Sequence, residues 1–365
     1  MRHLFPAATA IFIATCITPT GTYAEPISPA EALQQAVTHA AQKGKAGAIL
    51  HVQGCGLSFQ QAKGIANRKT KLAMPLNEPL RIASISKLYT ATIIHQLVQQ
   101  GALDLDRSAT SYLTDGEIDG VPNAHATLRQ LLNHTSGVPD YYDVRSYLFT
   151  DWTQPITVER TLKVARRKKA ANAPGASYAY SNTNYQILAL IAEKVSGLNL
   201  TKLIESQILE PLELSDTQYN TEHPGGTIHG YGTELRKNAD TWKYAENTGA
   251  DGGITATSTD LSRFLKALFL EEGQLNTVGS AMRANPMVKM SKRQFAGAGV
   301  EMIVSRTGTE LLGHTGDTFG YLSFAYAIPE HNVTLVGHTN TSDKEVFIGL
   351  LQSTILTVLE ACQAE

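Results

Sequence analysis

The chain has 365 residues, of which 42% are hydrophobic and 18% charged, a composition typical of a globular protein with a large buried core. Its formal net charge is −2, and its Lys and Arg residues are scattered apart from the run Arg166–Lys169. We interpret that run as a solvated helix face. The charge pattern therefore argues against a nucleic-acid partner.

The first residues are typical of an export signal. Arg2 and His3 precede an apolar stretch from Leu4 to Ile17, and small residues near Ala24 fit a cleavage site. We therefore predict that residues 1–24 are a signal peptide. The apolar stretch is too short and too interrupted for a stable membrane span. The mature protein is predicted to be periplasmic or secreted.

Cysteine usage agrees with export but does not fix a pairing. Thr15 is a poor residue before Cys16 in a lipoprotein cleavage site, so lipid anchoring is disfavoured. Removal of the signal peptide leaves Cys55 and Cys362. From the sequence by itself they are either a disulfide pair or two unrelated buried thiols.

Capping boxes, turn residues and apolar periodicity predict the elements. In chain order they are a helix from the Ser28 capping box to about Gln42, strands Ala48–Gln53 and Leu57–Ala66, helices at Ser84–Gln100, between Thr127 and Gly137, at Asn184–Val195, Leu200–Leu209 and Thr257–Leu270, strands Gly297–Ser305, Glu310–Gly313, Tyr321–Ile328 and Val333–Thr339, and a C-terminal helix capped by Ser342. This order favours an α/β (α+β) fold, an antiparallel sheet of about five strands flanked by helices. Residues 25–109 and 246–365 would form the discontinuous sheet domain, and residues 110–245 a mostly helical inserted domain.

The only Ser-x-x-Lys of the chain, Ser84-Ile-Ser-Lys87, is the first of three motifs that could carry chemistry. In a helix the two side chains lie one turn apart. A serine hydroxyl needs a base to become a nucleophile, and a desolvated lysine with a lowered pKa can serve as that base. Free N–H groups at a helix N-terminus can stabilise an oxyanion. By itself the spacing is weak, since a chain of this length contains about one such match by chance.

The other two motifs are Tyr180-Ser-Asn182 and His314-Thr-Gly316. A tyrosine whose pKa is lowered by nearby ammonium groups can shuttle protons, and an amide can hold a substrate carbonyl. A buried tyrosine with a capping asparagine is the simpler reading. The His-Thr-Gly triplet, predicted just past a strand, offers polar groups and a glycine that permits close approach of a substrate. Arg306-Thr-Gly308 is similar but lies between two predicted strands, so we interpret it as their hairpin.

In this order the three motifs resemble those of the penicillin-recognising serine hydrolases, which include DD-peptidases, class C β-lactamases and their esterase relatives. The resemblance covers about residues 28–360 and is too extensive for chance. Further sequence segments that resemble the β-lactamase-related domain are Gly101–Asp106, Leu131–Pro139, Glu210–Leu214 and Gly252–Leu261.

The resemblance implies a catalytic role for four residues. Ser84 would be the nucleophile that forms an acyl-enzyme, and Lys87 and Tyr180 would share its proton, with the identity of the base left open. The backbone N–H groups of Ser84 and Asp317 would form the oxyanion hole. The resemblance implies no cofactor and no metal.

The resemblance also implies the substrate-binding residues. Asn182 would orient the substrate amide, and His314, Thr315 and Gly316 would face its carboxylate. β-Lactamases of this type usually carry Lys in place of His314, so efficient β-lactam hydrolysis is not the leading prediction. If His314 binds a carboxylate as a cation, kcat/KM for acidic substrates should fall as pH rises through about 6–7.

The family fold further implies a disulfide. Its C-terminal helix returns towards the first hairpin, which would bring Cys362 towards Cys55. We therefore expect these two cysteines to pair.

The leading prediction is an exported serine hydrolase, a D-Ala-D-Ala carboxypeptidase or D-amino-acid peptidase. Its substrate would be a small peptide or ester, with peptidoglycan stem peptides as candidates and β-lactams as acylating ligands. The alternatives are a carboxylesterase, a class C-type β-lactamase, and a non-catalytic β-lactam or muropeptide sensor. A structural cell-wall protein would not need Lys87 or Tyr180.

Overall fold

The computed structural model describes residues 27–114, 116–142, 156–219, 226–232, 239–242 and 249–364. The predicted signal peptide, residues 1–24, lies outside this range. The helices are α1 (Pro29–Gly44), α2 (Ser86–Gln99), α3 (Leu128–Leu132), α4 (Val158–Ala165), α5 (Thr183–Ser196), α6 (Leu200–Ile204, continued by a π-helical turn, Glu205–Leu209), α7 (Ser258–Phe269), α8 (Gln274–Ala284) and α9 (Lys344–Ala364). The strands are β1 (Gly47–Gly54), β2 (Leu57–Asn67), β3 (Leu72–Ala73), β4 (Leu80–Arg81), β5 (Gln218–Tyr219), β6 (Tyr231–Gly232), β7 (Ala239–Asp240), β8 (Ile254–Ala256), β9 (Val288–Lys289), β10 (Gln294–Gly297), β11 (Val300–Val304), β12 (Glu310–Thr318), β13 (Tyr321–Ile328) and β14 (Val333–Thr339).

Both ends of the chain build one antiparallel sheet, as predicted, because β1 pairs with β2 on one side and with β14 on the other. Over the described residues the strand order is β3-β2-β1-β14-β13-β12-β11-β10-β9, so the sheet has nine strands. The sequence predicted about five. Two of the additional strands, β3 and β9, are two-residue edges.

Strands β10 to β12 differ from the prediction by one additional hairpin and by a longer β12. The segment predicted as a single strand, Gly297–Ser305, contains the turn between β10 and β11, where Ala298 and Gly299 have φ values of 53° and 87°. Strand β12 runs on to Thr318 instead of ending at Gly313, because its pairing with β13 continues up to the turn. The similar triplet Arg306–Gly308 lies between β11 and β12, as expected for their hairpin.

Helices cover both faces of the sheet. On β13, Phe324 and Tyr326 pack into a cluster with α1 and α9, whereas Ala325 and Ala327 pack into a larger cluster that includes α2, α5 and α7. Alternate residues of a strand point to opposite faces, so a strand that is covered on both sides is apolar throughout. The larger cluster contains residues from the predicted sheet and helical domains, and the division between those domains stays a prediction.

Helix α9 ties the end of the chain to its beginning. Its Cys362 forms a disulfide with Cys55, which lies in the turn between β1 and β2, as the resemblance implied. The Asp343 carboxylate accepts from the N–H groups of Glu345 and Val346, so Asp343 caps the helix in place of Ser342. In the described part of the chain, α9 alone is long and apolar enough to cross a membrane by length and composition. It packs on α1 and the sheet, as a core helix does.

Candidate active site

Ser84 lies in a 3₁₀ turn directly before α2, and that turn packs on β12. Ala83 is buried with φ 48°, in the left-handed region that alanine rarely adopts. The carbonyl of Ile82 accepts from Ser323 Oγ at 3.1 Å. A Cβ on Gly316 would lie 2.1 Å from the same carbonyl oxygen. The structure therefore requires Gly316 for packing of the Ser84 turn on the strand, a reason that the sequence reading did not contain.

The Lys87 ammonium is fully buried and contacts three acceptors. Its Nζ donates to Ser84 Oγ at 3.0 Å, to Asn182 Oδ1 at 2.8 Å and to the carbonyl of Asp251 at 2.8 Å. Burial lowers the pKa of Lys87 to about 8, against the opposing charges of Asp251 and Asp140. A neutral amine keeps two N–H groups, and the oxygens of Asn182 and Asp251 can only accept. In that form the lone pair faces Ser84.

Tyr180 contacts the Ser84 hydroxyl from the other side. Its Oη donates to Ser84 Oγ at 2.9 Å, and its ring stacks on His134 with a centroid separation of 4.2 Å. Burial raises the pKa of Tyr180 well above its ordinary value, whereas the sequence reading required a lowered one. Desolvation of the phenolate outweighs the hydrogen bond with Ser84, which lowers the pKa. Tyr180 therefore keeps its proton at neutral pH and can donate it.

Asn182 precedes α5 but makes no capping bond with its side chain. The carboxylate of Asp140 accepts from the Asn182 backbone N–H at 3.0 Å and from its Nδ2 at 3.3 Å. Since Oδ1 accepts from Lys87, the amide is fixed at both ends. The structure thus places Asn182 in the cluster around Ser84 and Lys87 and excludes the capping interpretation. Sequence reasoning missed Asp140, although it directly follows a phrase quoted for the family resemblance, Leu131–Pro139.

Asp251 is a second buried acid that sequence reasoning missed. Its carboxylate accepts from Tyr141 Oη at 3.0 Å and from the Gln186 side chain. Burial raises the pKa of Asp251, while the positive charge of Lys87 opposes the rise. The only sequence signal is an acid placed directly before Gly252 in an otherwise apolar segment.

The third motif lies within β12, so His314 and Thr315 are strand residues. The prediction that the motif follows the strand is therefore wrong. His314 is 4% exposed, and burial lowers its pKa below the ordinary value. The cationic form assumed for carboxylate binding therefore requires a more acidic solution than an exposed histidine would. Its Nδ1 lies 2.5 Å from the carbonyl oxygen of Thr315.

Glu301 on β11 is a third acid that the sequence reading missed. Its Oε2 accepts from the Thr315 N–H at 2.9 Å, from Thr315 Oγ1 at 3.0 Å and from Tyr326 Oη at 3.2 Å. Its Oε1 lies 3.8 Å from His314 Nδ1. A charged residue within the apolar strand Val300–Val304 was the available signal.

Asp317 lies two residues beyond Thr315 on β12. Since N–H groups alternate along a strand, the N–H of Asp317 points to the same edge as that of Thr315. The Asp317 carboxylate forms an ion pair with Lys344 at 3.0 Å. An oxyanion hole made by the N–H groups of Ser84 and Asp317 stays a prediction.

Potential metal ligands lie elsewhere. Within the described ranges, the ligand atoms of Cys55, His331 and Cys362 lie within 4.8 Å of one another. The disulfide between the two cysteines removes both thiolates as ligands. This group is therefore not a metal site in the oxidised protein.

A family model described as beta-lactamase matches residues 32–352, most of the chain. The chain belongs to the beta-lactamase family. This family assignment confirms the resemblance inferred from the three motifs.

The names of similar proteins describe several activities. The chain is 25% identical to penicillin-binding protein 4* of Bacillus subtilis over 81% of its own length and 68% of that protein. It is 25% identical to a D-aminopeptidase of Brucella anthropi over 76% of its length, but spans only 53% of that enzyme. The D-amino acid amidase of Ochrobactrum anthropi SV3 superposes with a TM-score of 0.79 at 25% identity, over 92% of this chain and 99% of the amidase. A D-stereospecific amidohydrolase of Streptomyces superposes with a TM-score of 0.77 at 26% identity, over 87% and 97%.

Proposed function

We propose that the protein is an exported serine hydrolase that cleaves amide bonds through an acyl-enzyme on Ser84. The observation that carries the proposal is the position of Ser84 Oγ, 3.0 Å from Lys87 Nζ and 2.9 Å from Tyr180 Oη. A nucleophile, a base and a proton donor within hydrogen-bond distance are the requirements of acyl transfer.

The proposed reaction has two halves. Neutral Lys87 takes the hydroxyl proton of Ser84 as Oγ bonds to the substrate carbonyl carbon, and the oxyanion accepts from the N–H groups of Ser84 and Asp317. The C–N bond then breaks, and the amine leaves with a proton that returns from Lys87 through Tyr180. Water attacks the acyl-enzyme while Lys87 takes its proton, and release of the acid returns a proton to Ser84 Oγ.

We propose D-amino-acid amides and peptides as the substrate class. The names of the D-aminopeptidase and D-amino acid amidase relatives support this choice, and D-Ala-D-Ala peptides fall within the same class. An esterase of small acyl esters is the alternative, since the same cluster would acylate an ester. Export is supported by the apolar N-terminal stretch and by the Cys55–Cys362 disulfide, which persists in oxidising compartments.

Ser84→Ala tests the proposed nucleophile. We expect kcat/KM for a D-amino-acid amide and for a p-nitrophenyl ester to fall by roughly 10⁴-fold or more, because the acyl-enzyme cannot form. Mass spectrometry of the intact protein with a β-lactam should show an adduct on the wild type and none on the variant. Retained amide hydrolysis by Ser84→Ala would contradict the proposal, and an adduct without turnover of any substrate would favour the sensor.

A further inference from the structure

The subsite beside His314 and Thr315 already contains an anion. The Glu301 carboxylate accepts both from the N–H and from the hydroxyl of Thr315, at 2.9 and 3.0 Å. Its side chain is 17% exposed, so it is shielded from bulk water while it still reaches the surface of the protein. A substrate carboxylate at this position would have to displace Glu301 or lie beside a like charge in a medium that screens poorly.

His314 does not supply the missing positive charge. A carbonyl oxygen can only accept, so the 2.5 Å contact with the carbonyl of Thr315 requires a proton on Nδ1 of His314. In the neutral ring that assignment leaves Nε2 as an acceptor. Together with the Glu301 carboxylate, the subsite therefore offers acceptors for N–H groups.

Lys87 is not free to compensate either. It is fully buried, and its ammonium donates to Ser84, Asn182 and the carbonyl of Asp251. Among the described residues, the charged side chain that contacts Thr315 is thus Glu301.

We propose that Glu301 is a specificity-determining residue that selects leaving groups without a carboxylate, such as carboxamides and amines, over those with a free C-terminal carboxylate. This inference rests on the proposed function and narrows it, because it favours amidase or aminopeptidase activity over D-Ala-D-Ala carboxypeptidase activity. It also implies slow acylation by β-lactams, which carry a carboxylate.

A substrate pair that differs only in the terminal group tests the proposal. N-acetyl-D-Ala-D-Ala and N-acetyl-D-Ala-D-alaninamide share the Ala–Ala peptide bond, and the wild type should release D-alaninamide from the second with a higher kcat/KM than D-alanine from the first. Glu301→Gln should reduce that preference by about tenfold or more. The reduction should come from a higher kcat/KM for the carboxylate substrate, because the negative charge that repels it is removed. Glu301→Asp retains the charge and should keep the preference for the amide.

Glu310→Gln is the matched control. Glu310 lies on the same sheet and pairs with Arg283, so its loss removes one negative charge without touching Thr315. This variant should keep the wild-type preference. An unchanged preference in folded Glu301→Gln, or a preference that changes equally in Glu310→Gln, would overturn the proposal.

The outcome is separable from that of the proposed function. Ser84-dependent hydrolysis of a neutral p-nitrophenyl ester tests the proposed function by itself. Its result does not depend on which of the two peptide substrates has the higher kcat/KM. If Glu301→Gln does not fold, the wild-type protein still tests the proposal. Hydrolysis of the carboxylate substrate by the wild type at the same rate as the carboxamide substrate would refute selection by Glu301.

Discussion

Ser84 Oγ accepts hydrogen bonds from both Lys87 and Tyr180, so in this arrangement its own proton has no acceptor in the pair. One donor must lose a proton before the serine can be activated. Burial raises the pKa of Tyr180 and lowers that of Lys87, so Lys87 is the residue that can do so near neutral pH. We therefore propose Lys87 as the base, a choice that the motifs left open.

The pH dependence of the reaction should report the charge of Lys87. Its pKa of about 8 means that the neutral base predominates above that value, so kcat/KM for an uncharged substrate should rise with pH and level off above about pH 8. The measurement is a pH profile with a p-nitrophenyl ester, corrected for its spontaneous hydrolysis. A profile that is flat from about pH 6 to 9 would contradict Lys87 as the base.

Asp251→Asn should move the same profile. The negative charge of Asp251 raises the pKa of Lys87, so its removal should shift the rising limb to lower pH. The asparagine can still accept a hydrogen bond from Tyr141, which limits structural change. Asp216→Asn, at an exposed aspartate, is the control and should leave the limb in place. A limb that stays in place in Asp251→Asn would show that Asp251 does not set the charge of Lys87.

Strand β12 is the element on which the site is assembled, because the Ser84 turn packs directly against it. Gly316→Ala would place a Cβ 2.1 Å from the carbonyl oxygen of Ile82, and backbone must move to relieve that contact. We expect kcat/KM to fall by roughly 10²-fold, since a shift of about 1 Å at the nucleophile has that effect. Stability should fall by about 1–3 kcal/mol.

Gly349→Ala is the control for this substitution. Gly349 lies in α9 with nothing within 4 Å of the position of a Cβ. Activity and thermal unfolding of the two variants, measured side by side, separate displacement of the turn from a general effect of the added methyl group. Wild-type activity in Gly316→Ala would exclude the proposed support of Ser84 by β12.

The site residues that could be predicted from the sequence are those that lie close together along the chain. Ser84 and Lys87 are one helical turn apart, so a motif was sufficient to find them. Glu301 reaches Thr315 only because β11 and β12 pair with Glu301 opposite Gly313, and no local pattern encodes that register. Asp251 depends on contacts with distant helices in the same way. Strand β10 was missed because its turn to β11, Ala298-Gly299, is apolar and looks continuous with the strands.

At the scale of the whole molecule, the Cys55–Cys362 disulfide closes a loop of 307 residues in sequence separation. A cross-link of this span restricts the unfolded chain strongly, so Cys55→Ala/Cys362→Ala should lower the free energy of unfolding by about 2–5 kcal/mol.

The disulfide lies in the turn between β1 and β2, an element that contributes no residue to the Ser84 cluster. Below the unfolding transition, kcat/KM of the double variant should therefore stay within about twofold of the wild type. Denaturant unfolding and ester hydrolysis, measured on oxidised and reduced wild type and on the variant, check both parts. A large loss of kcat/KM in the folded variant would show that the site depends on this junction between the two ends of the chain.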